Sequence, residues 1–437
     1  MNIAFYTLGC KVNQYETQSM AELFLKNGYI PARENAAPDV FVINSCTVTA
    51  ESDRKTRQAV RRYRRKYPSA VIVLTGCMPQ AFPAEAAEDL PEADIIVGNT
   101  AHSELPKLVQ EFLNKRERIV KVERHTDKES FNTPRITAFS EHTRAFMKIQ
   151  DGCDRYCTYC IIPTARGRIR SKSLDDIRAE AEQLAENGFC ELVLVGINLT
   201  SYGKDTGHNI CDAVSAVAAV DGIKRIRLGS LEPDHISDEI LDRLAREAKF
   251  CPQFHLSLQS GCDETLRRMN RHYDTAFYYD LVSRIRARFA RAAITTDIMV
   301  GFAGETEQEF AESLAFAKKV KFAAAHIFSY SRRKGTVAYN LPSQVPKAEK
   351  ERRSREMIAA TAATEREFLE KQRGTTAQVL IEREADGAYT GYTENYTPVL
   401  VRSDTDICGK IINIKITGIE ESFLIGEILK QEKNIEG

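Results

Sequence analysis

Cys153, Cys157 and Cys160 form a CxxxCxxC triplet directly after an apolar stretch that reads as a strand. Cysteines so spaced bind soft metals, yet they supply three ligands where a structural zinc or a closed iron–sulfur cluster takes four. One metal position is left open, and an open iron can bind a substrate. On bare spacing, the alternatives are a zinc knuckle completed by a remote ligand such as His142 or Cys190, or three unrelated thiols. A second set of thiols, Cys10, Cys46 and Cys77, lies in the first hundred residues at separations of 36 and 31.

The elements that must position these thiols follow from apolar patterning. Runs at 3–8, 40–44 and 71–75 each end in one of the spread cysteines, and a fourth run lies at 94–97. The separation is that of a βαβ unit, so the strands form a parallel sheet with right-handed crossovers. Their carboxyl ends share one edge, where open α/β sheets place ligands, and the three thiols are expected to converge there, the alternative being that each is a small buried residue at a strand end. Helices starting just after each cysteine favour the thiolate. Six more strands at 145–150, 191–195, 225–231, 254–258, 294–300 and 325–330 alternate with helices such as 174–186 and 305–319. A charged helix at 346–372 then replaces two further units, so an open six-unit (β/α) barrel fits better than a closed eight-unit one. Short runs at 377–382, 388–393, 397–401, 411–416 and 423–429 predict a small antiparallel barrel. The expected class is α/β in three units: 1–135, 140–372 and 373–437.

Lysine plus arginine equal aspartate plus glutamate at 61 each, so any affinity for nucleic acid must be local. The stretch 54–66 carries eight basic residues and no acid on an expected helix, which points to phosphate. Tyr389, Tyr392 and Tyr396 with Arg402 and Lys410 are candidates for stacking bases and contacting phosphate, or for core. The N-terminus lacks a basic leader and no apolar run reaches about 18 residues, so a cytoplasmic protein with no membrane association is expected. Cys190, Cys211, Cys251, Cys262 and Cys408 have no ligand spacing and read as buried thiols.

The ordering of three spread cysteines, a CxxxCxxC barrel and a small terminal barrel resembles the methylthiotransferases of the radical S-adenosylmethionine (SAM) enzymes. The segments 8–17, 254–262, 269–271 and 296–302 carry the likeness across nearly the whole chain. Within the family, 11–17 and 46–49 resemble the branch acting on N6-threonylcarbamoyladenosine at position 37 of tRNA. Ala303 stands where the family usually has proline, and Met78-Pro79 depart after Cys77.

The resemblance implies two [4Fe–4S] clusters, one on Cys153, Cys157 and Cys160 that cleaves SAM, and an auxiliary one on Cys10, Cys46 and Cys77 that holds sulfur. It implies hydrogen abstraction from C2 of the adenine and transfer of a methylthio group. Contacts to SAM map to Gly196, Asn198, Ser257, Gln259 and Asp297, and the terminal barrel is similar to an RNA-binding TRAM domain. The implied partners are the tRNA anticodon loop, a low-potential electron donor and the iron–sulfur assembly machinery. The threonylcarbamoyl group carries a carboxylate, and Arg332 and Arg333 after the last barrel strand are the expected cations for it. The alternatives are isopentenyladenosine-37 tRNA, an aspartate of a ribosomal protein, or a non-catalytic zinc-dependent RNA-binding protein.

Overall fold

The computed structural model describes residues 1–33, 36–137 and 143–429; His142 lies outside the described residues. Strands β1 (Asn2–Thr7), β2 (Ile30–Pro31), β3 (Val40–Ser45), β4 (Val71–Gly76), β5 (Ile95–Val97) and β6 (Ile119–Lys121) form one parallel sheet in the order 2-1-3-4-5-6. Every residue of β3 and β4 is buried, as expected for central parallel strands covered on both faces. The edge strands β2 and β6 were not expected from the sequence. β2 has only two residues, both exposed and one a proline, so it carries no apolar signal. The strand order reverses between β1 and β3, which places a ligand crevice beyond their carboxyl ends. Cys10 and Cys46 flank it.

The second unit is an arc of parallel strands. β7 (Ala145–Lys148), β10 (Glu191–Val195) and β11 (Arg225–Leu228) pair in one sheet, and a short antiparallel pair, β8 (Gln150–Asp151) with β9 (Arg170–Ser171), closes the base of the cysteine loop. The arc continues through β12 (Ser230–Leu231), β13 (Gln253–Leu256), β14 (Ala293–Val300) and β15 (Ala324–Ser329). β11 and β12 are one expected strand interrupted at Gly229, so six strands make the partial barrel. Phe254, Leu256, Ile294 and Ile298 pack outward against Tyr278, Phe316 and Phe322 in the main core. The alternate residues His255, Asp297 and His326 therefore face inward. Helix Lys347–Glu370 covers β15.

The last unit is a closed barrel of β16 (Thr376–Ala385), β17 (Ala388–Thr393), β18 (Pro398–Arg402), β19 (Ile411–Glu420) and β20 (Phe423–Ile428). Four pairings are antiparallel, and β18 with β20 is parallel, a closure the strand pattern alone does not reveal. Among the described residues no helix is long and apolar enough to cross a membrane.

Candidate active site

Cys10 is the N-cap of helix α1 (Lys11–Lys26), Cys77 opens the short helix α3 (Cys77–Ala81), and Cys46 lies just ahead of α2 (Ala50–Lys66), whose N-cap is Thr49. Gly9 has φ +118°, and a Cβ there would stand 2.9 Å from Cys46 Cβ, so only glycine lets the two cysteine loops approach. Asn13 of α1 fixes the pair, its Nδ2 donating to Ser45 O at 3.0 Å while Asn44 Nδ2 donates to Asn13 O at 3.0 Å. The expectation that helix N-termini hold these thiols as thiolates is corrected for two of them. Burial raises the Cys46 thiol and pushes Cys77 up to about 12, against the pull of Arg166 on both. Desolvation is the largest influence on both thiols, and a bound metal ion is the kind of charge that would favour their thiolate forms.

The triplet Cys153, Cys157 and Cys160 occupies the loop between β8 and the helix Ile162–Arg166, at the carboxyl end of the first barrel strand. Burial pushes Cys153 to about 11 and Cys160 to about 12. Asn198 Nδ2 lies 3.7 Å from Cys153 Sγ. Gln150 Oε1 accepts from Asn198 N at 2.8 Å, and a Cβ on Gly196 would meet that same oxygen at 2.8 Å, so Gly196 permits the close packing. Ser257 offers its carbonyl to Arg271, whose other nitrogen stands 3.2 Å from Cys157 Sγ. Gln259, at φ +68°, donates its N–H to Asp297 O at 2.9 Å, and its buried Oε1 has no partner among the described residues. The five expected SAM contacts thus form three groups: Gly196 and Asn198 at Cys153, Ser257 behind Cys157, and Gln259 beside Asp297. The Asp297 carboxylate faces His255 Nε2 at 3.4 Å.

Two buried arginines to which the sequence assigns no role face the thiols. Arg271 lies in the matched segment 269–271 and is tied to Glu232 at 2.6 Å. Arg166, fully buried, is six residues beyond Cys160, and its Nε reaches Cys77 Sγ at 3.2 Å. It also binds Glu16 of α1, with Nη2 at 3.0 Å from Oε2, and Asn13 Oδ1 at 3.3 Å. One short helix and one side chain therefore connect the two cysteine sets. Lys148 of β7 completes this junction, 2.7 Å from both Glu16 and Asp151. Guanidiniums beside Cys77 and Cys157 suit the net negative charge of a cluster held by three thiolates. Among the described residues no group of three or more His, Cys, Asp or Glu closes around a single ion. Cys190 sits at the amino end of β10, a strand length of about 15 Å from the edge that carries the triplet, so it is no fourth ligand.

Arg333 is buried, and its guanidinium is taken by Asp53 and Thr47 across the unit boundary; Arg332 donates to Tyr339 O at 2.7 Å and lies over that ring. Arg333 is therefore not the free cation expected from its place after the last barrel strand, whereas Arg332 is exposed and pairs with no carboxylate among the described residues. Tyr389 is core, and Tyr392 and Tyr396 stack at 4.5 Å beneath Arg144, facing the partial barrel and not open solvent. Met78, one of the two residues that depart from the family pattern after Cys77, is core. Ala303 packs with Met299 and Tyr330, and its turn is held by Glu305, which accepts from Gly301 N at 2.6 Å. Cys211, Cys251 and Cys262 are buried as expected, Cys190 is half-buried, and Cys408 is exposed, its amide bonded to Asp406 in a surface loop.

Helix α2 places acids in its first turn and bases in its last, matching its dipole. Arg64 is structural, donating to Ala70 O, Pro68 O and Asp94. Lys55, Arg61, Arg62 and Arg65 line a groove of about 510 Å³ with Tyr6 and Leu8, ending at the Cys10 loop.

Comparison with known proteins gives three family models in register with the three units: the Radical SAM superfamily over 147–317, Uncharacterized protein family UPF0004 over 2–98, and the TRAM domain over 370–429. A threonylcarbamoyladenosine tRNA methylthiotransferase of Bacillus subtilis is 37% identical over 421 residues, covering 95% of this chain and 93% of the relative. The chain belongs to the radical SAM tRNA methylthiotransferase family. The Aquifex aeolicus enzyme of the same name is 38% identical over 95% of this chain and all of its own, while a tRNA-2-methylthio-N(6)-dimethylallyladenosine synthase of Clostridium botulinum is 33% identical over 96% of this chain and 95% of its own. The fold is shared with a radical SAM methyltransferase, TsrM, of Kitasatospora setae at TM-score 0.57 and 15% identity, covering 89% of this chain and 80% of that one.

Proposed function

We propose that the protein adds a methylthio group to C2 of N6-threonylcarbamoyladenosine at position 37 of tRNA. The reading rests on one observation above all: Arg166, at the end of the short helix that follows the triplet, reaches Cys77 of the other cysteine set at 3.2 Å. The higher identity to the threonylcarbamoyladenosine enzymes than to the dimethylallyl ones supports the choice of substrate.

Cys153, Cys157 and Cys160 would hold one [4Fe–4S] cluster and Cys10, Cys46 and Cys77 the other; when bound, they supply the electron that cleaves SAM and the sulfur that is transferred. Arg271 and Arg166 offset the charge on Cys157 and Cys77. Asn198, Ser257, Gln259 and Asp297 with Gly196 would receive SAM. Arg333 would act as a clamp that keeps the 1–135 unit on the 140–372 unit, and Arg332 would stand at the rim. The 373–437 unit and the α2 groove would bind the tRNA, in the cytoplasm. An electron donor and the assembly machinery complete the partners.

Anaerobically reconstituted protein is to be offered threonylcarbamoyl-tRNA, isopentenyl-tRNA and ribosomal protein. Methylthio product on the first alone is expected, and product only on another would overturn the reading. A second expected outcome concerns the groove. Alanine at Lys55 or Arg65 weakens tRNA binding without regard to sequence, and lowers the slope of log affinity against log salt by about 1 for each phosphate that is no longer neutralised. Fluorescence titration over a salt series measures both.

A further inference from the structure

The substrate assigned above carries a carboxylate, and resting on that reading, we propose that Lys11 is the residue that receives it. Of the two arginines expected there, Arg333 is neutralised by Asp53, and Arg332 lies over the Tyr339 ring and donates to that residue's carbonyl. Lys11 follows Cys10 directly and is exposed. Its Nζ lies 5.6 Å from the ring centre of Phe146, a β7 residue, so the amine reaches from the auxiliary cysteine loop to the first barrel strand. Desolvation is the largest influence on the amine, Arg144 and Arg227 of the barrel act on it in the same sense, and Glu191 opposes them. The carboxylates there are already shared, Glu191 lying 2.7 Å from Arg227 and Glu382 lying 3.3 Å from Arg144. No hydrogen bond or ion pair joins Lys11 to another described residue. An ammonium with no carboxylate partner of its own, set near two arginines, beside an aromatic face and one residue from a cluster cysteine, is a carboxylate site. Held there, the amino-acid arm on N6 of the adenine is anchored next to the thiols that serve the methylthio transfer. A wholly apolar N6 substituent gains nothing from this lysine, which makes Lys11 a specificity determinant.

The test compares two anticodon stem-loop RNAs on reconstituted holoenzyme, one with N6-threonylcarbamoyladenosine and one with the carboxylate converted to the carboxamide. Wild type is expected to bind the carboxylate RNA about tenfold more tightly, the effect of one charge-assisted hydrogen bond. Lys11→Met is expected to bring that ratio to about 1, and Lys11→Arg to keep most of it, with the iron content of both equal to wild type. Should the methionine variant lose iron through its nearness to Cys10, Lys11→Gln gives the same comparison. A tenfold ratio surviving in the neutral variants overturns the proposal, as does a ratio of about 1 in wild type. Neither result touches the functional reading, which fails separately if wild type forms no methylthiolated product on the carboxylate RNA.

Discussion

Cys157→Ala is expected to abolish methylthio transfer and to leave about four irons per chain in place of about eight. Cys157 is buried at the triplet and faces Arg271 at 3.2 Å, so its loss removes one of three ligands and one partner of a guanidinium that Glu232 still holds at 2.6 Å. The auxiliary set loses no ligand. Iron and sulfide analysis with nucleoside mass spectrometry on the same samples reads both quantities. Cys251→Ala, which removes another buried thiol placed in no cluster, is the control and is expected to keep iron and product. Full iron in the Cys157 variant would take that residue out of the ligand set.

Arg166→Met is expected to cost about 3–5 kcal/mol of stability at neutral pH, the penalty for leaving buried partners of an ion pair uncompensated. Glu16 would be left with Lys148 alone, and Asp151 with Lys148 and Arg170. The pH dependence has a definite sign. Burial pushes the Glu16 carboxyl up, but Arg166 and Lys148 outweigh it and hold it at about 2 in the folded chain, against about 4.3 when unfolded. A depressed carboxyl contributes stability above its unfolded value and loses it as pH falls through the folded one. The gap between wild type and variant therefore narrows from about pH 4 down toward about pH 2. Denaturant titrations across that window measure it, and a gap independent of pH would place the effect elsewhere.

Much of this architecture was legible because its signals are local. Continuous apolar runs marked β3 and β4, and Cys10, Cys46 and Cys77 stood at fixed offsets after strands, so parallel topology alone put all three at the carboxyl edge of one sheet. What the chain concealed were pairings between distant positions. Glu16 and Arg166 are 150 residues apart, and nothing in Pro-Thr-Ala-Arg166 distinguishes a buried linker from a surface turn. Lys11 stood within a matched segment, but its role depends on which carboxylates its neighbours have already claimed. Arg333 illustrates the converse, since proximity to a strand end suggested substrate while Asp53 takes the charge. The basic run at 54–66 was similarly mixed, because Arg64 is a clamp and only part of the helix lines the groove.

For the proposed transfer to work, both cysteine sets must carry a cluster, and the two clusters must lie within reach of one another. Electron paramagnetic resonance of the reduced, reconstituted protein reads this out. The prediction is two [4Fe–4S] signals broadened by mutual spin coupling, which Cys77→Ala and Cys157→Ala each collapse to a different single uncoupled spectrum. A wild-type spectrum from one cluster alone, or one equal to the plain sum of the two variants, would contradict it.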